Sequence, residues 1–228
     1  MKKLIILTGI AYAICLIFAC GGNSNNQATE TDSLGFNEDS VEQFLLEGKK
    51  YGVKSGIITF EASGSDYHQG SKDILYFDNF GAKEVIEGYS KGKLTLKAIN
   101  NGDGFIYDIF YEENKCNKSK SEGRQGIAEQ FNISASEWSD FKKEEYKFKR
   151  LADVVILGKT CQSYTSDFMD IQKKFTGWQG LLFIKETRFK SLDGDSIVEI
   201  DKAVKFDENV EIPAAVWEIP KGFKVSEN

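Results

Sequence analysis

The segment KLTLKAINNGDGFIYDIFY, residues 93–111, decides the fold class of this chain. Apolar and polar residues alternate from Lys93 to Ile99, and this period of two is typical of a β-strand. Asn101-Gly102 then interrupts the pattern, and Asn-Gly is the strongest short signal for a hairpin turn. The next strand, residues 105–111, carries apolar side chains on both of its faces. The segment therefore predicts an antiparallel hairpin in a sheet with two covered faces.

Similar patterns recur on both sides of this hairpin. Upstream, residues 56–62 and 74–77 predict two strands joined by a long polar loop. Downstream, residues 159–165, 174–190 and 196–206 predict further strands. The fold class that follows is α+β, mostly β, with an antiparallel sheet as its main element.

Two helices are expected beside the sheet. Residues 37–45 begin with capping residues and continue with apolar positions at helical spacing. Ser134-Ala-Ser-Glu137 fits a capping box, and Trp138 and Phe141 begin an apolar stripe that continues to Tyr146 and Phe148. We expect this second helix to end before Gly158 and to cover one face of the sheet.

The amino terminus has the pattern of a lipoprotein signal peptide. Two lysines precede an apolar run of about 15 residues, which is shorter than the roughly 20 that span a bilayer as a helix. The run ends in Leu16-Ile-Phe-Ala-Cys20, which resembles the bacterial lipobox. The resemblance implies removal of residues 1–19 and lipidation of Cys20. The alternative is an ordinary secretory signal with an incidental cysteine.

The residues after Cys20 predict a tether and a single domain. Residues 20–40 are almost free of large apolar side chains, and such segments do not fold by themselves. Residues 41–228 are long enough for one domain with a sizeable core. Gly21, Gly22 and Asn23 follow the cysteine in place of acidic residues that mark inner-membrane retention. We therefore expect an outer-membrane, lipid-anchored protein that faces the periplasm or the cell surface.

The charge balance argues against a nucleic-acid partner. The formal net charge is −6, and removal of the signal peptide takes away two further lysines. Two local basic clusters, residues 115–124 and 141–150, have the chemistry to contact lipid headgroups or a partner. Carboxylates are interleaved in the second cluster, which favours solvated helix and turn faces.

The catalytic inventory predicts a protein that is not an enzyme and holds no metal or cofactor. The single histidine, His68, has no neighbouring cysteine or second histidine in the sequence to complete a zinc site. Neither a Gly-x-Ser-x-Gly elbow nor a phosphate-binding glycine-rich loop occurs. Carboxylates are abundant, so a two-carboxylate hydrolase stays as a third, minor hypothesis.

Two thiols are left in the exported chain, Cys116 and Cys161. Because the compartment is oxidising, we predict a disulfide between them. The competing interpretation is a pair of buried free cysteines that act as small apolar side chains.

Three parts of the chain carry a resemblance to a known family. They are Val53–Phe60 with Asp73–Glu84, then Val155–Tyr164, then Gly177–Leu181 with Ile219–Phe223. These stretches resemble uncharacterised lipoproteins of Gram-negative anaerobes that are similar to the lipoprotein-carrier and outer-membrane lipoprotein-receptor superfamily. The resemblance implies a strongly curved antiparallel half-barrel, closed by helices over an apolar cavity.

The resulting functional hypothesis is a non-enzymatic, membrane-anchored protein that binds an acyl chain or another apolar ligand in the half-barrel. The candidate lining residues are apolar or aromatic and lie on predicted strands: Phe60, Tyr76, Leu96, Tyr107, Ile109, Trp178, Phe183 and Ile200. A filled core made of the same residues is an equally open interpretation. The alternative function is an envelope scaffold or interaction module that binds a protein partner.

The lipobox interpretation gives the first testable prediction. We expect Cys20→Ser to abolish membrane association and to leave the fold intact, because the tether separates the anchor from the domain. Fractionation of membranes and soluble extract measures this. Recovery of the Cys20→Ser protein in detergent-solubilised membranes would refute the lipid anchor.

Overall fold

Twelve β-strands lie in the part of the chain that the computed structural model describes, residues 47–64, 70–121, 126–131, 144–191 and 193–227. They are β1 (Gly56–Gly64), β2 (Lys72–Asp78), β3 (Lys83–Ser90), β4 (Lys93–Asn100), β5 (Phe105–Phe110), β6 (Lys115–Lys120), β7 (Lys149–Ile156), β8 (Lys159–Phe168), β9 (Ile171–Trp178), β10 (Leu181–Lys190), β11 (Ser196–Glu208) and β12 (Lys224–Glu227). Short 3-10 turns occur at Asn79–Gly81 and Ala214–Trp217. The mostly β class is confirmed.

All twelve strands form one open, curved sheet. Their order is β12-β6-β5-β4-β3-β2-β1-β11-β10-β9-β8-β7. Neighbouring strands are antiparallel, except that β12 runs parallel to β6. The two halves of the chain meet where β1 pairs with β11, with Ile58 opposite Phe206. The predicted half-barrel sheet is confirmed, and its outermost strands are β12 and β7.

The expected helix over residues 134–157 is wrong in its second half. Residues 149–156 form β7, which pairs antiparallel with β8. Val154, Val155 and Ile156 are β-branched, and such side chains favour an extended backbone that has a partner strand to pack against. Among the described residues only 144 and 145 are α-helical.

Several predicted features lie outside the described residues. They are the signal peptide, Cys20, the tether, the helix over residues 37–45, the loop with His68, and the helix positions Trp138 and Phe141.

The predicted single run over residues 174–190 is two strands. Gln179 and Gly180 separate β9 from β10, and both residues have positive φ, 47° and 80°. Two consecutive residues with positive φ match the right-handed twist of the flanking strands and reverse the chain tightly. The reversal brings Lys174 opposite Glu186 in the next strand.

The first apolar cluster covers the middle of the sheet on one face, the first face. Cross-strand register places Leu75 opposite Ile58 and Phe77 opposite Gly56. The cluster contains Tyr51, Val53, Ile58, Leu75, Phe77, Cys161, Leu181, Phe183 and Ala203. Each large side chain that is fully buried contributes about 1.5–3 kcal/mol relative to its exposed state.

The second cluster lies on the opposite face, the second face. Val85, Ile99, Ile109 and Cys116 are buried there. Side chains of the carboxyl-terminal segment cover them: Val216, Trp217, Ile219 and Phe223. The prediction that β5 is buried on both faces is confirmed, because Ile106 and Ile109 are both buried and an odd spacing places them on opposite faces.

Glu84 fastens two chain segments to the first face. Its carboxylate is fully buried and accepts hydrogen bonds from Lys50 Nζ at 2.6 Å, Tyr51 Oη at 2.5 Å and the Ile127 amide at 2.5 Å. Lys50 Nζ also donates to the Ala128 carbonyl at 2.6 Å. Removal of one partner from such a buried pair costs about 3–5 kcal/mol, because the other charge is left without compensation.

The Glu84 contacts require glycine at position 126. A Cβ atom there would lie 2.0 Å from Glu84 Oε2, and the φ of Gly126 is +108°. We predict that Gly126→Ala lowers the free energy of unfolding by about 3 kcal/mol, as backbone strain adds to disruption of the buried carboxylate. Gly104→Ala is the matched control, since its φ is +88° and no atom lies within 4 Å of its added Cβ.

Urea unfolding of the two variants measures the difference. Equal destabilisation by Gly126→Ala and Gly104→Ala would mean that the Glu84 contacts do not hold the segment.

Candidate functional site

The eight predicted lining residues lie on both faces of the sheet and not in one group. Phe60, Trp178 and Phe183 belong to the first cluster, whereas Tyr76, Tyr107 and Ile109 belong to the second. Leu96 and Ile200 are half-buried and lie in neither. The eight residues therefore do not line one common cavity.

Two of these residues are interior core residues. Phe183 and Ile109 have no exposed surface, and the chain's own side chains surround them. Phe183 also packs edge-on against Phe206, with ring centroids 5.5 Å apart. A carboxylate at either position would be buried without a compensating partner. A substitution to Asp there would therefore destabilise the fold and would not report on ligand binding alone.

Beside the second cluster, the Glu87 carboxylate contacts polar side chains from three strands, β2, β3 and β4. Tyr89 Oη donates to Glu87 Oε2 at 2.9 Å and Tyr76 Oη at 3.3 Å. The Lys97 ammonium lies 3.8 Å from Glu87 Oε1, and it also donates to the Glu218 carbonyl of the carboxyl-terminal segment at 3.4 Å. Burial and the Glu87 carboxylate raise the pKa of Tyr76 to about 12. The group ties the covering segment to the second face.

The predicted Cys116–Cys161 disulfide is wrong for this structure, where both thiols are free and buried. Cys116 lies in β6 within the second cluster, and Cys161 lies in β8 within the first. Eight strands separate β6 from β8 in the sheet. Neighbouring strands are about 4.8 Å apart, and a disulfide needs Cα atoms within about 7 Å.

The end of β7 and the turn that follows it carry exposed apolar side chains. Val155 is 73% exposed, and Val154 and Leu157 are exposed as well. None of the described residues pairs with the outer side of β7, because this strand ends the sheet. A shift of register between Leu151 and Val154 bends the strand, and Lys149 and Arg150 occupy its first positions. The apolar stretch is therefore limited to residues 154–157.

A polar cleft of about 300 Å³ lies over the strands β7–β10. Basic, acidic and uncharged polar side chains line it: Lys147, Lys149, Thr165, Ser166, Asp167, Gln172, Lys173, Lys174, Glu186 and Arg188. Five of these residues are basic and two are acidic. We call this feature the cationic cleft.

Strand register explains how the cleft is assembled. Lys149, Thr165 and Lys174 are directly opposite one another on β7, β8 and β9, and Glu186 continues the row on β10. Asp167, Gln172 and Arg188 form the next row, two residues along. Residues two apart on a strand share a face, so these two rows lie on one face of the sheet. Ser166 and Lys173 are opposite each other at the intervening positions, whose side chains point to the other face.

Sequence reasoning did not find this cleft. Lys147 and Lys149 belonged to a basic cluster interpreted as solvated helix and turn faces, and the remaining lining residues gave no local signal. The alternation of Ser163 and Thr165 with Tyr164 is the one available sign of a polar strand face, but it does not identify the neighbouring strands.

No group of three or more His, Cys, Asp or Glu side chains in the described ranges is arranged to hold a metal ion. Over the same residues, no helix is long and apolar enough to cross a membrane.

The free thiols give a prediction that replaces the disulfide. Burial raises the pKa of both Cys116 and Cys161, so little reactive thiolate is present at neutral pH. We expect slow alkylation of the native protein. After unfolding without a reductant, mass spectrometry should find both cysteines alkylated. Two cysteines that stay unmodified under those unfolding conditions would restore the disulfide.

Comparisons with known proteins give weak structural similarity and no family. No protein-family model and no curated protein matches the chain. An uncharacterized conserved protein from Thermus thermophilus has a TM-score of 0.48 at 11% identity, over 83% of this chain and 99% of that one. MucB in complex with MucA(peri) has a TM-score of 0.45 at 9% identity, over 73% and 54%.

A putative outer membrane lipoprotein-sorting protein domain from Vibrio parahaemolyticus is also among the similar structures. Its TM-score is 0.30 at 11% identity, over 72% of this chain and 89% of that one. All three scores are below 0.5, so neither fold family nor function is argued from them. The fold rests on the order and register of the twelve strands described above.

Proposed function

We propose that this protein is a non-enzymatic, lipid-anchored binding module of the bacterial envelope that takes up an extended polypeptide segment along β7. The observation that carries the proposal is the outer edge of β7, which none of the described residues pairs with, together with the exposed Val154 and Val155 on this strand and Leu157 in the turn after it. An edge strand presents a row of backbone N–H and C=O groups that a second strand can pair with. Main-chain hydrogen bonds then supply affinity, and side-chain contacts supply specificity.

The two outer edges of the sheet differ in a way that supports this choice. β12 has four residues, all exposed, and its Glu227 forms an ion pair with Lys118 at 2.8 Å. Short and charged edges of this kind resist pairing with another chain. β7 has eight residues, and its last three, residues 154–156, carry no charge. Of the two outermost strands, β7 is therefore the longer and the more apolar one for a partner strand to pair with.

The bound segment would be short and apolar. Lys149, Arg150 and the bent register restrict pairing at the start of β7. Arg150 is also engaged, because its guanidinium donates to Asp153 at 2.5 Å. We therefore expect an extended peptide with apolar side chains beside Val154 on one face of the sheet and beside Val155 on the other.

The location of the partner follows from the anchor. With Cys20 lipidated and Gly21-Gly22-Asn23 after it, the domain would be held at the outer membrane by a tether of about 20 residues with a root-mean-square reach of roughly 25 Å. The partner would then be an envelope protein that exposes an unfolded or terminal segment within that distance.

An apolar ligand is the second candidate. Phe60, Trp178 and Phe206 are only partly buried at the margin of the first cluster. Lys159 lies over the Trp178 ring at 4.3 Å. An acyl chain could extend this aromatic margin, with the lysine near a polar headgroup.

Site-specific photo-cross-linking tests both candidates in cells that produce the full chain. A photoreactive side chain replaces Val155, Trp178 or, as the control on the opposite edge, the 47%-exposed Val225. We expect a discrete polypeptide adduct from position 155 and none from position 225. Introducing Val154→Lys should reduce the adduct at least about tenfold, because a charge on an edge opposes strand addition.

The possible adducts separate the hypotheses. Lipid adducts from position 178 without a polypeptide adduct at 155 would replace the proposal with the apolar-ligand function. Equal polypeptide adducts from positions 155 and 225 would show that contact is nonspecific and would refute strand addition.

A further inference from the structure

The cationic cleft carries charge that the described residues do not neutralise. Asp167 lies 3.7 Å from Lys147 Nζ, and Glu186 lies 2.5 Å from Arg188 Nε. Each acidic group of the cleft is thus close to one base. Within the described ranges, no ion pair involves Lys149 or Lys174, the two lysines of the first row. The cleft is therefore a positive site on a chain whose formal net charge is −6.

We propose that the cationic cleft binds a phosphate-type anion. The centre of the proposed site is the row Lys149, Thr165 and Lys174 on three adjacent strands. Side chains opposite one another on adjacent strands have Cβ atoms about 5 Å apart. Two ammonium groups therefore flank one hydroxyl group, and a tetrahedral anion placed over Thr165 can accept hydrogen bonds from all three.

The second row completes the donor set. The Gln172 side-chain amide follows two positions along the same face, beside Arg188. Arg188 already has Glu186 as a partner, so it contributes charge at the rim and is not a dedicated ligand. Lysine is a common phosphate ligand that acts as a compact charge, and hydroxyl and amide donors fix the orientation of the anion.

The size and polarity of the cleft also favour a small anionic group. A volume of about 300 Å³ is at the lower end of the range for small-molecule sites. Every side chain that lines the cleft ends in a charged or polar group, and carbon atoms of these side chains and of the backbone supply the rest of its surface. The group that the cleft would recognise is a phosphate anion. It occurs in free phosphate, in phosphate esters and in the headgroups of anionic phospholipids.

The proposal is independent of strand addition at β7. Lys149 points into the cleft from the first half of β7, whereas the apolar stretch is residues 154–157 at the other end of the strand. Substitutions at Val154 and Val155 therefore leave the anion ligands in place.

The test uses the full lipidated chain in micelles of a neutral detergent. Inorganic phosphate is titrated by calorimetry at constant ionic strength, with chloride as the balancing anion. The proteins are the wild type, the double variant Lys149→Gln/Lys174→Gln and a control with the same charge change on exposed residues of the other half of the sheet, Lys93→Gln/Lys115→Gln. Circular dichroism checks that each variant is folded.

We expect the wild type and the control to bind phosphate alike. The cleft variant should lose at least about tenfold in affinity for each lysine removed, which is about 1.4 kcal/mol per lysine. No binding by the wild type, or equal affinity in all three proteins, would overturn the proposal.

A second arm identifies the source of the anion. Phosphatidylglycerol is added to the micelles of the wild type, and phosphatidylcholine is added in a parallel sample. Competition by phosphatidylglycerol alone assigns the cleft to an anionic headgroup. Unchanged phosphate affinity in both samples assigns it to a soluble phosphate or phosphate ester.

Discussion

The buried carboxylate of Glu84 is the contact on which the arrangement of the first face depends. It accepts hydrogen bonds from an ammonium group, a phenol and a backbone amide, which belong to two chain segments that lie over the sheet. Burial lowers the pKa of Lys50 and raises that of Tyr51, so desolvation acts against the charged form of both partners. The network is stable only because these polar groups satisfy one another. It therefore fixes one position for the covering segments, which apolar contacts alone would not specify.

β3 performs this role on both faces of the sheet. Glu84 holds segments on the first face, and Glu87, at an odd spacing from it, points to the second face and meets Lys97, Tyr76 and Tyr89. Lys97 in turn contacts the carboxyl-terminal segment. On each face of the central strands, a carboxylate of β3 thus helps to hold the segment that covers that face: Glu84 on the first face and, through Lys97, Glu87 on the second. Where both faces are filled in this way, the accessible binding features lie at the margin and outer edge of the sheet.

The second half of the sheet combines two different surfaces within a short distance. The outer strand β7 has basic residues at its start and exposed valines at its end. The cationic cleft includes Lys149 from the first part, whereas the apolar edge belongs to the second. The chain as a whole is acidic, so a local cluster of positive charge differs from the rest of its surface. The two proposed sites, for a polypeptide and for an anionic group, therefore lie in the same half of the sheet.

The sequence by itself determined the strands whose signals are local. Alternation over residues 93–99, the Asn-Gly turn and the double-sided β5 predicted hairpins that the structure contains, because side-chain period and turn chemistry act within a few residues. The helix predicted from the stripe Trp138 to Phe148 was extended to Gly158 and so overran β7, because the choice between helix and strand at Val154-Val155-Ile156 depends on pairing with β8. The oxidising compartment predicted from the amino terminus suggested a bridge between Cys116 and Cys161, but their distance is set by eight intervening strands. The cleft likewise joins Lys149, Thr165 and Lys174, which share no local pattern. Only tertiary structure decided these relations, because hydrogen-bond register between strands places distant residues opposite one another, and that register is a property of the assembled sheet.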